Sequence, residues 1–71
     1  MDDIDVKLGQ LIKAKRKERR LTQTQLAEKV GSTTQVIYYY EKGKRSMSAG
    51  FFFKLCEALD LDPNEIQKQL S

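Results

Sequence analysis

The sequence predicts an all-α fold, a compact bundle of five helices, and three observations carry that expectation. Apolar residues recur at helical spacing, as in Ile4, Leu8, Leu11 and Ile12. Helix-capping residues punctuate the chain at short intervals: Thr22, Ser32-Thr33, Ser48 and Asp62. No strand pattern competes, because the IYYY and FFF runs fall between caps and within helical spacing.

The first helix is expected over residues 4–18. Its apolar stripe fades after Ile12 and gives way to the basic run KAKRKERR. Thr22-Gln23-Thr24-Gln25 reads as a capping box, in which the Thr hydroxyl accepts from the Gln25 N–H and the Gln25 side chain reaches back. It opens a second helix with Leu26, Ala27 and Val30 inward, which Gly31 ends in a left-handed turn. Ser32-Thr33 cap a third helix running to Glu41, with Ile37 and Tyr40 inward, and Gly43 closes it. Ser48 caps a fourth helix over 49–59, with a core stripe of Ala49, Phe52, Cys56 and Leu59 and with Leu55 beside it. Asp62-Pro63-Asn64-Glu65 starts the fifth: Asp as cap, Pro at the first helical position. Ile66 and Leu70 face inward.

With 71 residues, the chain is expected to form a single domain over 1–71. One cysteine cannot form an internal disulfide, which fits a reducing compartment, most simply the cytoplasm. No run approaches a membrane span, and the acidic start MDDIDV is no secretory signal. There is no His, hence no Ser-His or Cys-His pair and no imidazole metal site. A lone Cys makes no zinc knuckle. The expectation is therefore a non-enzyme with no metal and no cofactor.

The net charge of +3 hides an asymmetry. Residues 1–6 carry −3, residues 7–20 carry +6, residues 41–45 carry +2 and residues 46–71 carry −2. Two basic clusters flank a neutral centre. Charge alone allows either a solvated helix face or a side that binds a polyanion.

Between the clusters, the second and third helices have the spacing of a helix-turn-helix over residues 22–42. Ala27 is small where the two helices cross, and Gly31 occupies the turn. Leu26, Val30, Ile37 and Tyr40 are apolar where the pair must be joined.

The segment LTQTQLAEKVGSTTQVIYYYEKGKR resembles the Cro/repressor helix-turn-helix proteins of lambdoid phages and their bacterial XRE-type, lambda-repressor-like relatives. The resemblance runs from about Leu8 to Leu70. It implies a sequence-specific regulator of transcription that binds double-stranded DNA, most simply a repressor acting as a homodimer on a pseudo-palindromic operator. The resemblance also implies roles for individual residues. Thr33, Thr34, Gln35, Val36 and Tyr39 would contact bases from the third helix. Gln35 and Tyr39 share a helical face, and Gln pairs bidentately with adenine N6 and N7. Val36 suits a thymine methyl. Gln23, Lys13, Lys15, Arg20, Lys42, Lys44 and Arg45 would contact phosphates, giving affinity and salt dependence but no sequence information. Lys17 and Arg19 are expected bystanders. Arg16 and Glu41 match a pair that is salt-bridged in the family, although Arg16 also suits a phosphate.

Several residues depart from the family pattern. Arg20 stands where Gly is usual, so either it is left-handed at a cost of ~1 kcal/mol or the turn differs. Tyr40 replaces an aliphatic residue, and Gly50 weakens the fourth helix. Tyr39 replaces the usual Gln, Arg or Lys. Consecutive helical residues point about 100° apart, so Phe51, Phe52 and Phe53 cannot all be hidden. With Phe52 in the stripe, Phe51 and Phe53 either pack on neighbouring edges or form a dimer or partner surface. Cys56 reads as a buried small apolar residue. A second reading, an antitoxin or antirepressor whose main partner is another protein, draws on the Phe triplet.

Overall fold

Polar caps and left-handed turns divide the chain into five helices in the computed structural model, which describes residues 3–70. Asp2 of the acidic start lies outside them. Helix α1 spans Asp3–Glu18, α2 Gln23–Lys29, α3 Thr34–Glu41, α4 Ala49–Leu59 and α5 Pro63–Leu70. No strand occurs among the described residues. Both aromatic triplets are helical, so capping and spacing outweigh their β propensity. No helix among the described residues is long and apolar enough to cross a membrane.

The starts of α2, α3, α4 and α5 each have a polar side chain accepting a backbone N–H. Thr22 and Gln25 form both halves of a capping box, with Gln25 N–H donating to Thr22 Oγ1 at 3.0 Å and Thr22 N–H to Gln25 Oε1 at 2.9 Å. Thr33 Oγ1 accepts from Val36 N–H and Ser48 Oγ from Phe51 N–H. Asp62 Oδ1 accepts from Asn64 N–H ahead of the α5 turn.

The ends share one device. After α1, α2, α3 and α4 a single residue takes positive φ: Arg20 at 57°, Gly31 at 67°, Gly43 at 71° and Asp60 at 56°. In each case the next N–H returns to a carbonyl five residues back: Leu21 to Arg16, Ser32 to Ala27, Lys44 to Tyr39, Leu61 to Cys56. This closes otherwise orphaned carbonyls. Glycine adopts this conformation without strain, whereas at Arg20 and Asp60 a charged residue bears the cost. The strained alternative for Arg20 is the one adopted. The two strained turns meet, because Arg19 Nη2 donates to the Asp60 carbonyl at 3.4 Å and Nη1 lies 3.9 Å from its carboxylate.

Helix α1 is about 24 Å long, against a longest molecular extent of 29 Å, so it serves as the spine. Helix α3 packs mainly on α1 and α2, while α4 and α5 each meet α1 as well. Ile12, Leu26, Ala27, Val30, Ile37, Leu55 and Leu59 form the core, with Leu8, Leu21, Met47, Phe51, Ala58 and Leu61 around it. Gly9 and Gly43 let backbones approach. A Cβ on Gly9 would run into the carbonyl oxygens of Tyr40 and Glu41, and one on Gly43 would meet Val6 at 2.8 Å. The close α1–α3 contact therefore depends on Gly9, a residue the helical pattern alone did not single out.

The inward registers differ from expectation at both ends. Ile4 is 57% exposed, because α1 extends past the core by a turn. On α4, Ala49 is exposed and Phe52 lies outside the core, while Leu55, Cys56 and Leu59 are buried. Phe51 replaces Phe52 as the inward ring. It stacks on Tyr40 with centroids 4.8 Å apart and is half-buried. The shift is one residue, or about 100° of helix, and the large Tyr40 ring supplies the partner that selects it. Tyr40 is buried, and no buried side-chain polar atom among the described residues lacks a hydrogen-bond partner. Burial, with the Asp62 charge adding, pushes the Cys56 thiol above its ordinary value, so it stays protonated.

Candidate nucleic-acid interface

A recognition surface needs a helix fixed from behind and open in front, and α3 has both. Its inner side carries Ile37, Tyr40 and Glu41, all buried. Ala27 on α2 is also buried, so its methyl group is what allows the two helices to cross closely. The left-handed Gly31 and the Thr33 cap then set the angle at which α3 leaves the turn.

Behind α3 stands a buried ionic cluster. Arg16 Nε donates to Glu41 Oε2 at 2.7 Å, and Nη2 donates to Oε1 at 3.1 Å. This fork is the geometry in which Arg binds a carboxylate most strongly. Arg16 Nη1 also donates to the Leu21 carbonyl at 2.7 Å, reaching past the strained Arg20 turn. Gln23 Nε2 donates to Glu41 Oε1 at 3.0 Å. One carboxylate thus joins the last turn of α1, the first residue of α2 and the end of α3. With Arg16 8% and Glu41 6% exposed, the pair is desolvated and each member depends on the other.

The outer edge is polar and open. Thr33, Thr34 and Gln35 are exposed, and Val36 and Tyr39 are half-exposed. Gln35 Nε2 donates to the Tyr39 hydroxyl oxygen at 3.1 Å, one helical turn apart. The Thr24 and Thr34 hydroxyls lie 2.9 Å apart, which ties the start of α2 to the start of α3. In the sequence Thr24 is marked only by its position inside the capping box. Tyr38, 40% exposed, packs against Tyr39 with centroids 5.7 Å apart and the rings tilted by 60°, and Lys42 Nζ lies 5.7 Å over the Tyr38 ring.

The basic residues divide by location. Lys42 caps the end of α3, with Lys44 and Arg45 in the loop that follows. All three are exposed, and Arg45 lies 5.7 Å over the Tyr40 ring. Lys13, Lys15 and Arg20 belong to α1 and its closing turn. Lys13 and Arg20 are exposed, while Lys15 Nζ stands 3.5 Å from Glu18. Arg19 faces the end of α4 rather than α3. Phe53 is 54% exposed, with its ring 5.8 Å from that of Phe52, on α4 rather than on α3. Phe51 lies against Tyr40 instead. Among the described residues, no three His, Cys, Asp or Glu side chains gather as a metal site.

A family model described as helix-turn-helix matches residues 12–66. An HTH-type transcriptional regulator of Sinorhizobium fredii, y4wC, is 34% identical over 61 residues; these are 86% of this chain but 43% of that protein. An HTH-type transcriptional regulator of Methanothermobacter thermautotrophicus is 47% identical over 49 residues, 69% of this chain and 71% of its own. Among solved structures, the restriction-modification controller protein C.AhdI of Aeromonas hydrophila superposes with a TM-score of 0.82 at 34% identity. That match covers 86% of this chain and 88% of that one.

Proposed function

The chain belongs to the helix-turn-helix family of transcriptional regulators, and on that premise we propose that it binds double-stranded DNA sequence-specifically, with α3 in the major groove. The observation that carries this reading is the two-sidedness of α3. Its inner face is locked to α1 and α2, and its outer edge offers Thr33, Thr34, Gln35, Val36 and Tyr39. Gln35 is the principal base reader, suited to adenine, and Val36 touches a thymine methyl. Gln23 retains one amide N–H for a phosphate, because its bond to Glu41 uses the other. Lys42, Lys44 and Arg45 follow α3 directly and neutralise phosphates at its far end. Lys13, Lys15 and Arg20 add attraction from the α1 side.

In this reading residues 1–71 act as one domain, as a homodimer and as a repressor. Two copies place their α3 helices in successive major grooves about 34 Å apart, on a roughly palindromic site. Pairing supplies the base contacts that one short helix lacks. The exposed Phe53, with Phe52 beside it, provides an apolar surface for the second copy.

The test is selection of sites from a random duplex library with the purified protein at two salt concentrations. The expected result is two symmetric half-sites, with affinity falling as salt rises. Weak, salt-sensitive binding without a recovered sequence would contradict the reading. It would favour a role centred on another protein that covers Phe53.

A further inference from the structure

We infer that Tyr39 is a positioning residue for Gln35, fixing the amide in the orientation that reads a base; this rests on the DNA-binding reading above. A glutamine amide has two N–H donors and a carbonyl with two lone pairs. Tyr39 takes one donor through the 3.1 Å bond from Gln35 Nε2 to its hydroxyl oxygen. One N–H and the carbonyl stay open, and a bidentate contact with adenine N6 and N7 uses those two groups. An exposed glutamine free to rotate would have to be ordered when it binds, and its amide would present either end with equal ease. The phenol removes both freedoms before DNA arrives.

Tyr39 is itself held in place. It is half-buried, its ring packs against Tyr38 at 5.7 Å, and Tyr38 carries Lys42 over its outer face. The series Lys42, Tyr38, Tyr39, Gln35 runs along α3 from its cationic end to its reading end. The family's more usual Gln, Arg or Lys at this position would serve as a reader; here the aromatic residue makes its neighbour one.

The experiment compares the unaltered protein with Tyr39→Phe, Gln35→Ala and the double variant. The probes are the duplex recovered by selection with the unaltered protein and its single-base-pair variants. Tyr39→Phe keeps the ring and its packing and removes only the hydroxyl. Ordering a side chain on binding weakens association about 2- to 10-fold. The expected result is a loss of that size for Tyr39→Phe on the recovered duplex. Preference at the base pair that Gln35→Ala also relaxes should fall with it, and other base pairs should be unaffected. In the Gln35→Ala background, Tyr39→Phe should cost nothing further. Without DNA, the Gln35 side-chain amide resonances should shift in Tyr39→Phe. An equal loss at every base pair, or the same loss with Gln35→Ala present, would mean that Tyr39 touches DNA itself and would overturn the positioning role. No loss would overturn it as well. If the unaltered protein selects no duplex, the DNA-binding reading fails, and this inference with it.

Discussion

Along its inner face α3 is fixed by every contact available to it, and along its outer edge by almost none. Inside, Ile37 is fully buried, Tyr40 stacks on Phe51, and Glu41 takes bonds from Arg16 and Gln23. Outside, the Thr24 hydroxyl pairs with Thr34 and the Gln35 amide with Tyr39, contacts that join exposed or half-exposed side chains to one another. The inner face therefore governs stability, and the outer edge is free to vary with what it must recognise. Because α3 is only eight residues long, both tasks fall on neighbouring positions, and Tyr39 and Tyr40 belong to opposite sides.

The largest loss of stability is expected from Arg16→Ala. It leaves Glu41 buried with only Gln23 as a partner, and the expected cost is about 3–5 kcal/mol, read by urea unfolding. An unchanged midpoint would mean that the inner face is not what fixes α3. Gly9→Ala follows, at about 3 kcal/mol, because the new methyl meets the backbone of Tyr40 and Glu41, which cannot rotate away. Arg20→Gly relieves left-handed strain at an exposed turn and should add about 1 kcal/mol, seen as a raised melting temperature. Thr34→Val removes an exposed hydroxyl and should move stability by less than about 0.5 kcal/mol. A larger loss would show that the Thr24–Thr34 pair belongs with the inner face after all.

Helix starts were legible in the sequence because Thr22, Thr33, Ser48 and Asp62 announce themselves chemically. The helix-turn-helix was legible for the same reason: Ala27 and Gly31 each answer a steric demand. Ends were harder. Gly31 and Gly43 signal a left-handed turn, but Asp60 does the same work without the signal, since Asp is equally at home in a turn or a loop. Arg20 declared itself only by standing where the family has Gly. The aromatic triplet on α4 was ambiguous by one residue, because three consecutive apolar side chains give no periodicity to read. Tyr40, opposite it, decided in favour of Phe51. Gly9 lies in an unbroken helix, and its purpose appears only when α3 lies across it. At the candidate interface, residue types suggested which side chains face outward. The Gln35–Tyr39 and Gln23–Glu41 bonds depend on rotamers that no spacing rule supplies.

If reading and folding are separate tasks on α3, Gln35→Ala should alter the first and leave the second intact. Its urea unfolding midpoint is measured alongside its affinity for the duplex selected by the unaltered protein and for that duplex's single-base-pair variants. The expected result is an unchanged midpoint and a loss of about 1–3 kcal/mol of discrimination, confined to one base pair in each half-site. A lowered midpoint, or full selectivity retained, would contradict it.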